Sequence, residues 1–170
     1  RLMPISRGSG GASGGALGFI DYNDTGGPIS VQADTWTTIT NNGAGAFTNK
    51  GYTVAGVPEV MDSVGRLDFQ HLGLGDGLLV RTDMTVTPSV NGMAMEIRWN
   101  LGTTSPYSLS TSLGSLVDGA GVATQVVFLS YIYAGDANTA DGLGELQFRS
   151  AEDCTVSNAG SAIQILKRGS

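Results

Sequence analysis

The chain has 170 residues, a net charge of −6, 14% charged side chains, 26 glycines and a single cysteine. That length is one ordinary domain, able to bury about 70% of its unfolded surface without disulfides. An acidic balance with no Lys/Arg cluster argues against nucleic-acid partners, and no run of about 18 apolar residues offers a membrane span.

The opening "RLMPISRGSGG" lacks the apolar segment of a signal peptide. Lone Cys154 fits synthesis in a reducing compartment. Scarce charge beside abundant Gly, Thr, Ser and Val predicts an all-β fold of many short strands. An antiparallel β-sandwich with Greek-key connections, a jelly roll, is the expected architecture. No internal repeat points to a propeller or β-helix.

Residues 1–18, with "RGSGGASGGALG", form a Gly/Ser-rich arm by composition, ahead of a domain at residues 19–168. The arm is expected to lie across a neighbouring subunit. "LGFIDYNDTGGP" reads as a short strand ending in a turn, and "ISVQADTWTTIT" as a strand pair or one bent strand. "NNGAGAFTNKGYTVAGVP" reads as a loop, and residues 57–71 as short strand-like pieces around a turn at Ser63 to Gly65, with a weak helical alternative at 57–63.

"LLVRTDMTVTPSVNGMAMEIRWNL", residues 78–101, is the most legible stretch. Val80, Thr82, Met84 and Val86 alternate with Arg81, Asp83, Thr85 and Thr87; Met93, Met95, Ile97, Trp99 and Leu101 alternate with Ala94, Glu96, Arg98 and Asn100. Strict period two predicts two half-buried strands, and Asn91-Gly92 between them predicts a two-residue hairpin turn. The resulting register pairs Val86 with Ile97, Met84 with Trp99 and Thr82 with Leu101, with Thr87–Glu96, Thr85–Arg98 and Asp83–Asn100 on a charged face suited to solvent or to a polar interface rim.

"LGTTSPYSLSTSLGSLVDGAG" reads as mostly loop with a possible strand, "VATQVVFLSYIYA" as a clear strand, "GDANTADGLG" as a turn-rich loop, and "ELQFRSA", "EDCTVSN" and "SAIQILKR" as three closing strands. Val127, Leu129, Tyr131 and Tyr133 alternate with Val126, Phe128, Ile132 and Ala134, so the clear strand is apolar on both faces. A sandwich core takes one face; the other needs a covering loop or a second subunit. The low charge favours the subunit, with Val126, Phe128, Ile132, Tyr131 and Tyr133 as the expected contact.

No catalytic set emerges, and neither cofactor nor metal is expected. His71 is the only histidine, Cys154 reads as a small packed apolar residue, and Cys/His ligands are too few for a structural zinc. Asp136, Asn138 and Asp141 in "GDANTADG" invite calcium, but Ala140 and Gln147 occupy positions where the calcium-loop pattern demands oxygen donors. "GASGG", residues 11–15, matches a nucleophile-elbow string without its strand–turn–helix context.

"GFIDYNDTGGPISVQADTWTTITNNGAGAFTNKGY", "LDFQHLGLGDGLLVRTDMTVTPSVNG", "YIYAGDANTADGLGELQFRS" and "IQILKR", in that order, resemble tailed-bacteriophage virion proteins over residues 18–168. The resemblance implies a homotrimeric jelly roll, similar to the tumour-necrosis-factor shape, carried on the virion surface as a capsid decoration, head-fibre or tail-fibre component and made in the host cytoplasm. It brings no catalytic residues. It makes the arm a tether to the major capsid protein or another virion protein, through Leu2, Met3, Pro4, Ile5 and Arg7. The alternative is a tail adhesin that binds host glycan through loops 103–110 and 135–144, with Tyr107, Asp136, Asn138 and Asp141 as candidate ligand residues.

Overall fold

A computed structural model describes residues 14–102, 105–116 and 119–169. The five candidate tether residues, Leu2, Met3, Pro4, Ile5 and Arg7, lie outside this set. Within it the alternating segments become β1 (Ala16–Asn23), β2 (Ile29–Val31), β3 (Thr37–Thr38), β4 (Asn49–Tyr52), β5 (Leu67–Asp68), β6 (Gly77–Pro88), β7 (Met93–Leu101), β8 (Tyr107–Leu116), β9 (Thr124–Tyr133), β10 (Leu143–Ser150) and β11 (Cys154–Lys167). One short helix, α1 (Ala137–Ala140), interrupts them. β1 begins at Ala16, inside the segment read as arm.

The strands form two antiparallel sheets. The first runs β4-β1-β11-β6-β9, with β2 on β11; the second runs β3-β10-β7-β8, with β5 on β10. Apart from β1–β2 and β7–β8, consecutive strands lie in opposite sheets, which gives the expected jelly roll. Asp34, at φ 55, breaks "ISVQADTWTTIT" into β2 and β3. "EDCTVSN" and "SAIQILKR" are one strand, β11, whose register against β6 shifts between Asn158 and Gly160. Gly160 sits at φ 146, and a Cβ there would come within 2.4 Å of the Tyr22 carbonyl oxygen, so only glycine fits this bulge.

The 78–101 stretch forms its two strands but not the predicted hairpin. β6 pairs with β11 and β9 in the first sheet, β7 with β10 and β8 in the second. Val86 therefore faces Val156 and Thr124, and Met84 faces Asn158 and Val126. Neither the apolar pairs with Ile97, Trp99 and Leu101 nor the polar pairs Thr87–Glu96, Thr85–Arg98 and Asp83–Asn100 are made. Residues 89–92 carry the chain across the sandwich instead. Gly92 takes φ 69, and Asn91 Oδ1 accepts from the Gly119 and Ala120 amides at 3.2 and 2.8 Å. Apolar faces meet whether strands lie side by side or about 10 Å apart in stacked sheets, so alternation alone could not choose.

Val80, Met84, Val86, Ile163 and Ile165 from the first sheet pack against Met95, Ile97, Trp99, Leu146 and Phe148 from the second. Each buried side chain of this size contributes about 1.5–3 kcal/mol. Phe128 and Ile132 belong to this core, 4% and 1% exposed, and Val126 packs against it. This corrects the expectation that they meet another subunit. The outward face of β9 is Val127, Leu129, Tyr131 and Tyr133. Both faces are apolar, so parity of position could not say which one turned inward.

Candidate functional site

Antiparallel register places directly opposed residues on one side of a sheet. On the outside of the first sheet, Tyr52 opposes Phe19, Phe19 opposes Gln164, Gln164 opposes Leu79 and Leu79 opposes Tyr131, one row across five strands. The adjacent row is Leu17, Leu166, Gly77 and Tyr133, and Leu129 lies beside Arg81 in the next. Leu17, Tyr52 and Leu129 are 64%, 71% and 61% exposed. Charge on this face is limited: Arg81 Nη2 meets Asp83 Oδ1 at 2.8 Å, and Asp21 stands exposed in the same row as Arg81.

The outside of the second sheet is the reverse. Arg149 pairs with Glu96, Arg98 Nε donates to Gln147 Oε1 at 2.8 Å, and Trp36 lies beneath both guanidinium groups at 4.0 and 5.1 Å. Burial, then the charge of Arg149, holds the Arg98 guanidinium below its ordinary value. The charged residues read as one hairpin face are thus split between opposite outer faces: Arg81 and Asp83 on one, Glu96 and Arg98 on the other.

The sandwich is open between β8 and β9, the two free edges on one side. Tyr107 and Leu109 point inward, opposite Leu101 and Trp99, yet remain 38% and 37% exposed. They border a cleft of about 470 Å³ together with Tyr131, Tyr133, Asp136 and Thr139. Two of the four candidate ligand residues, Tyr107 and Asp136, are brought together here. Asp136 Oδ1 caps α1 by accepting from the Thr139 amide and hydroxyl at 2.8 and 3.0 Å, and Tyr107 Oη lies 2.9 Å from Thr139 Oγ1. Asn138 instead pins the preceding loop, bonding both backbone groups of Ser105 at 3.1 and 3.0 Å. Asp141 ends α1. Among the described residues no group of three His, Cys, Asp or Glu is placed to hold a metal.

Sequence reasoning missed one polar cluster, built around the buried Tyr22. Tyr22, 3% exposed, donates to Glu59 Oε2 at 2.6 Å and accepts from the Val60 amide at 3.1 Å. Lys50 pairs with Glu59 and stands 5.3 Å over the Tyr22 ring. Burial first, then the bond to Glu59, pushes the Tyr22 phenol well above its ordinary value. The cluster ties β1 to the segment before β5, a structural task. Cys154 is also structural: it is buried, 3.3 Å from Ser150 Oγ, and burial raises its thiol.

No family model matches the chain, and no curated protein matches it. Among solved structures it is similar to Eiger TNF from S. frugiperda, at 12% identity over 91% of this chain and 92% of that one, with a TM-score of 0.51. It also aligns with a protein of the infectious bursal disease virus Gx strain at 12% identity and TM-score 0.46, covering 92% of this chain and 33% of that one. PRD1 vertex protein P5 aligns at 21% identity and TM-score 0.44, over 92% and 74%. The chain spans about one third of the bursal disease virus protein it matches. The likeness to Eiger TNF shows the fold, a jelly-roll sandwich.

Proposed function

We propose that the chain is a non-enzymatic structural protein of a bacteriophage virion, a decoration or head-fibre subunit. It works as a homotrimer packed through the outer face of the first sheet and is tethered to the particle by the residues ahead of β1. The observation that carries this reading is the row of large apolar side chains on that face, Tyr52, Phe19, Leu79 and Tyr131, broken only by Gln164 on β11. Exposed apolar surface on this scale, opposite a face that carries Glu96, Arg98 and Arg149, suits burial against a copy of itself. Aromatic side chains with little charge are the composition of interface centres. Tyr131 and Tyr133, on the edge strand β9, stand at the rim of this contact, while Leu129, Phe19 and Leu17 replace the inward Val126, Phe128 and Ile132. The phage assignment rests on the ordered segments that resemble tailed-phage virion proteins.

Sedimentation equilibrium on the full chain should give three times the 17.5 kDa chain mass. Leu129→Asp combined with Phe19→Asp should reduce it to one. A wild-type monomer at micromolar concentration would remove the assembly reading. Deleting residues 1–13 should leave the trimer intact and abolish binding to phage heads stripped of surface proteins. Full head occupancy without those residues would remove the tether.

A further inference from the structure

We infer that the cleft between β8 and β9 is a saccharide-binding site for a neutral, hydroxyl-rich glycan. Three features of its walls carry this. The rings of Tyr131 and Tyr133 lie nearly parallel, 19° apart with centroids at 6.3 Å. Each is seated on a glycine: a Cβ on Gly77 would come within 2.7 Å of Tyr131 Oη, and one on Gly135 within 2.6 Å of Tyr133 Cε2. Glycine at these two places lets the rings lie against backbone, so they are held as a fixed aromatic platform. Near-parallel neighbouring rings do not surround a point, which is what a cage for an organic cation requires.

The second feature is an uncommitted acceptor. Asp136 Oδ1 is occupied by the α1 cap, whereas among the described residues Oδ2 accepts no hydrogen bond. The third is the missing positive charge: among the described residues no Lys or Arg lines the cleft, so these walls suit neither phosphate nor carboxylate ligands. Its volume of about 470 Å³ lies in the range of small-molecule sites, which combine apolar walls with a few fixed polar groups. A pyranose ring presents an apolar C–H face to an aromatic plane and hydroxyl donors at its rim. The tyrosine platform takes the first and Asp136 Oδ2 the second, with Tyr107, fixed by Thr139, closing the opposite wall.

The inference is compatible with the assembly reading because Tyr131 and Tyr133 stand on the edge strand β9, at the rim of the proposed contact, and one set of variants separates the two. The full chain is applied to an array of neutral hexose oligosaccharides and bacterial O-antigen polysaccharides, and the strongest binder is titrated by calorimetry. Asp136→Asn keeps the helix cap, because an Asn side-chain oxygen caps as well, and loses the free acceptor; Tyr107→Ala removes the wall. Neither lies on the outer face of the first sheet. Each should weaken glycan binding tenfold or more while the sedimentation mass stays at the wild-type value, and Asp136→Asn should also keep the wild-type melting temperature. No retained glycan overturns the inference, as does a glycan that both variants bind as tightly as the wild-type chain. Calorimetric binding of tetramethylammonium with no glycan retained assigns the cleft to cations and overturns it too.

Discussion

Replacing Tyr22 by Phe removes one oxygen with two partners. The Val60 amide, which Tyr22 Oη accepts at 3.1 Å, is left buried and unpaired, a loss of about 1–3 kcal/mol. The bond donated to Glu59 at 2.6 Å is charge-assisted and contributes about 1.5–3 kcal/mol. Glu59 recovers part of that, because its side chain is 38% exposed and keeps Lys50. We expect Tyr22→Phe to cost about 2–3 kcal/mol at pH 8. Guanidinium unfolding followed by Trp36 and Trp99 fluorescence, at one fixed protein concentration, measures it. A pH series adds a second readout. Burial and the Glu59 bond hold the folded phenol above its ordinary value of 10.0. The stability Tyr22 contributes is therefore full below about pH 10 and declines as pH rises toward the folded value, by up to about 1.4 kcal/mol per unit. The phenylalanine variant has nothing there to ionise, so its deficit should shrink by about 1 kcal/mol between pH 8 and 11. A deficit constant over that range, or one below about 0.5 kcal/mol at pH 8, refutes the account of the cluster.

Phe148→Ala, at a fully buried ring, should destabilise by about 3–5 kcal/mol in the same assay. Gly160→Ala should cost more than about 2 kcal/mol, since strain at φ 146 adds to the clash with the Tyr22 carbonyl. Gly114→Ala, at φ 81 with nothing within 4 Å, carries only the strain and should cost about 1 kcal/mol. A double-mutant cycle on Arg149 and Glu96, both over a third exposed, should return a coupling below about 1 kcal/mol that falls further with salt.

Local geometry was legible in the sequence wherever one strand face was apolar and the other polar. β6 and β7 are the clear cases, because every second residue repeats the same instruction. Their partners were not legible: Asn91-Gly92 specifies a reversal, and reversal within a sheet and passage between sheets need similar backbone angles. The fold of β9 illustrates a second limit. Val127, Leu129, Tyr131 and Tyr133 are as apolar as the set that turned inward, and the choice is made by packing beneath Leu78, Met84 and the second sheet, which no local pattern encodes. β4, written as loop, carries Lys50 and Gly51 with all four residues exposed, so no burial pattern exists to announce it. At the cleft, Tyr107 and Asp136 were visible as residues suited to ligands. That they converge, while Asn138 and Asp141 serve the loop and α1, follows from the open edge between β8 and β9 and could be seen only in three dimensions.

The placement of β11 has a consequence for how the molecule comes into being. It lies between β1 and β6, so the earliest and the middle strands of the first sheet touch only through the last one. During synthesis the growing polypeptide must hold two unsatisfied edges apart until residues 154–167 leave the ribosome, a wait in which such edges invite aggregation. A stop codon anywhere before Cys154 would yield no smaller version of the domain, only halves with nothing to join them.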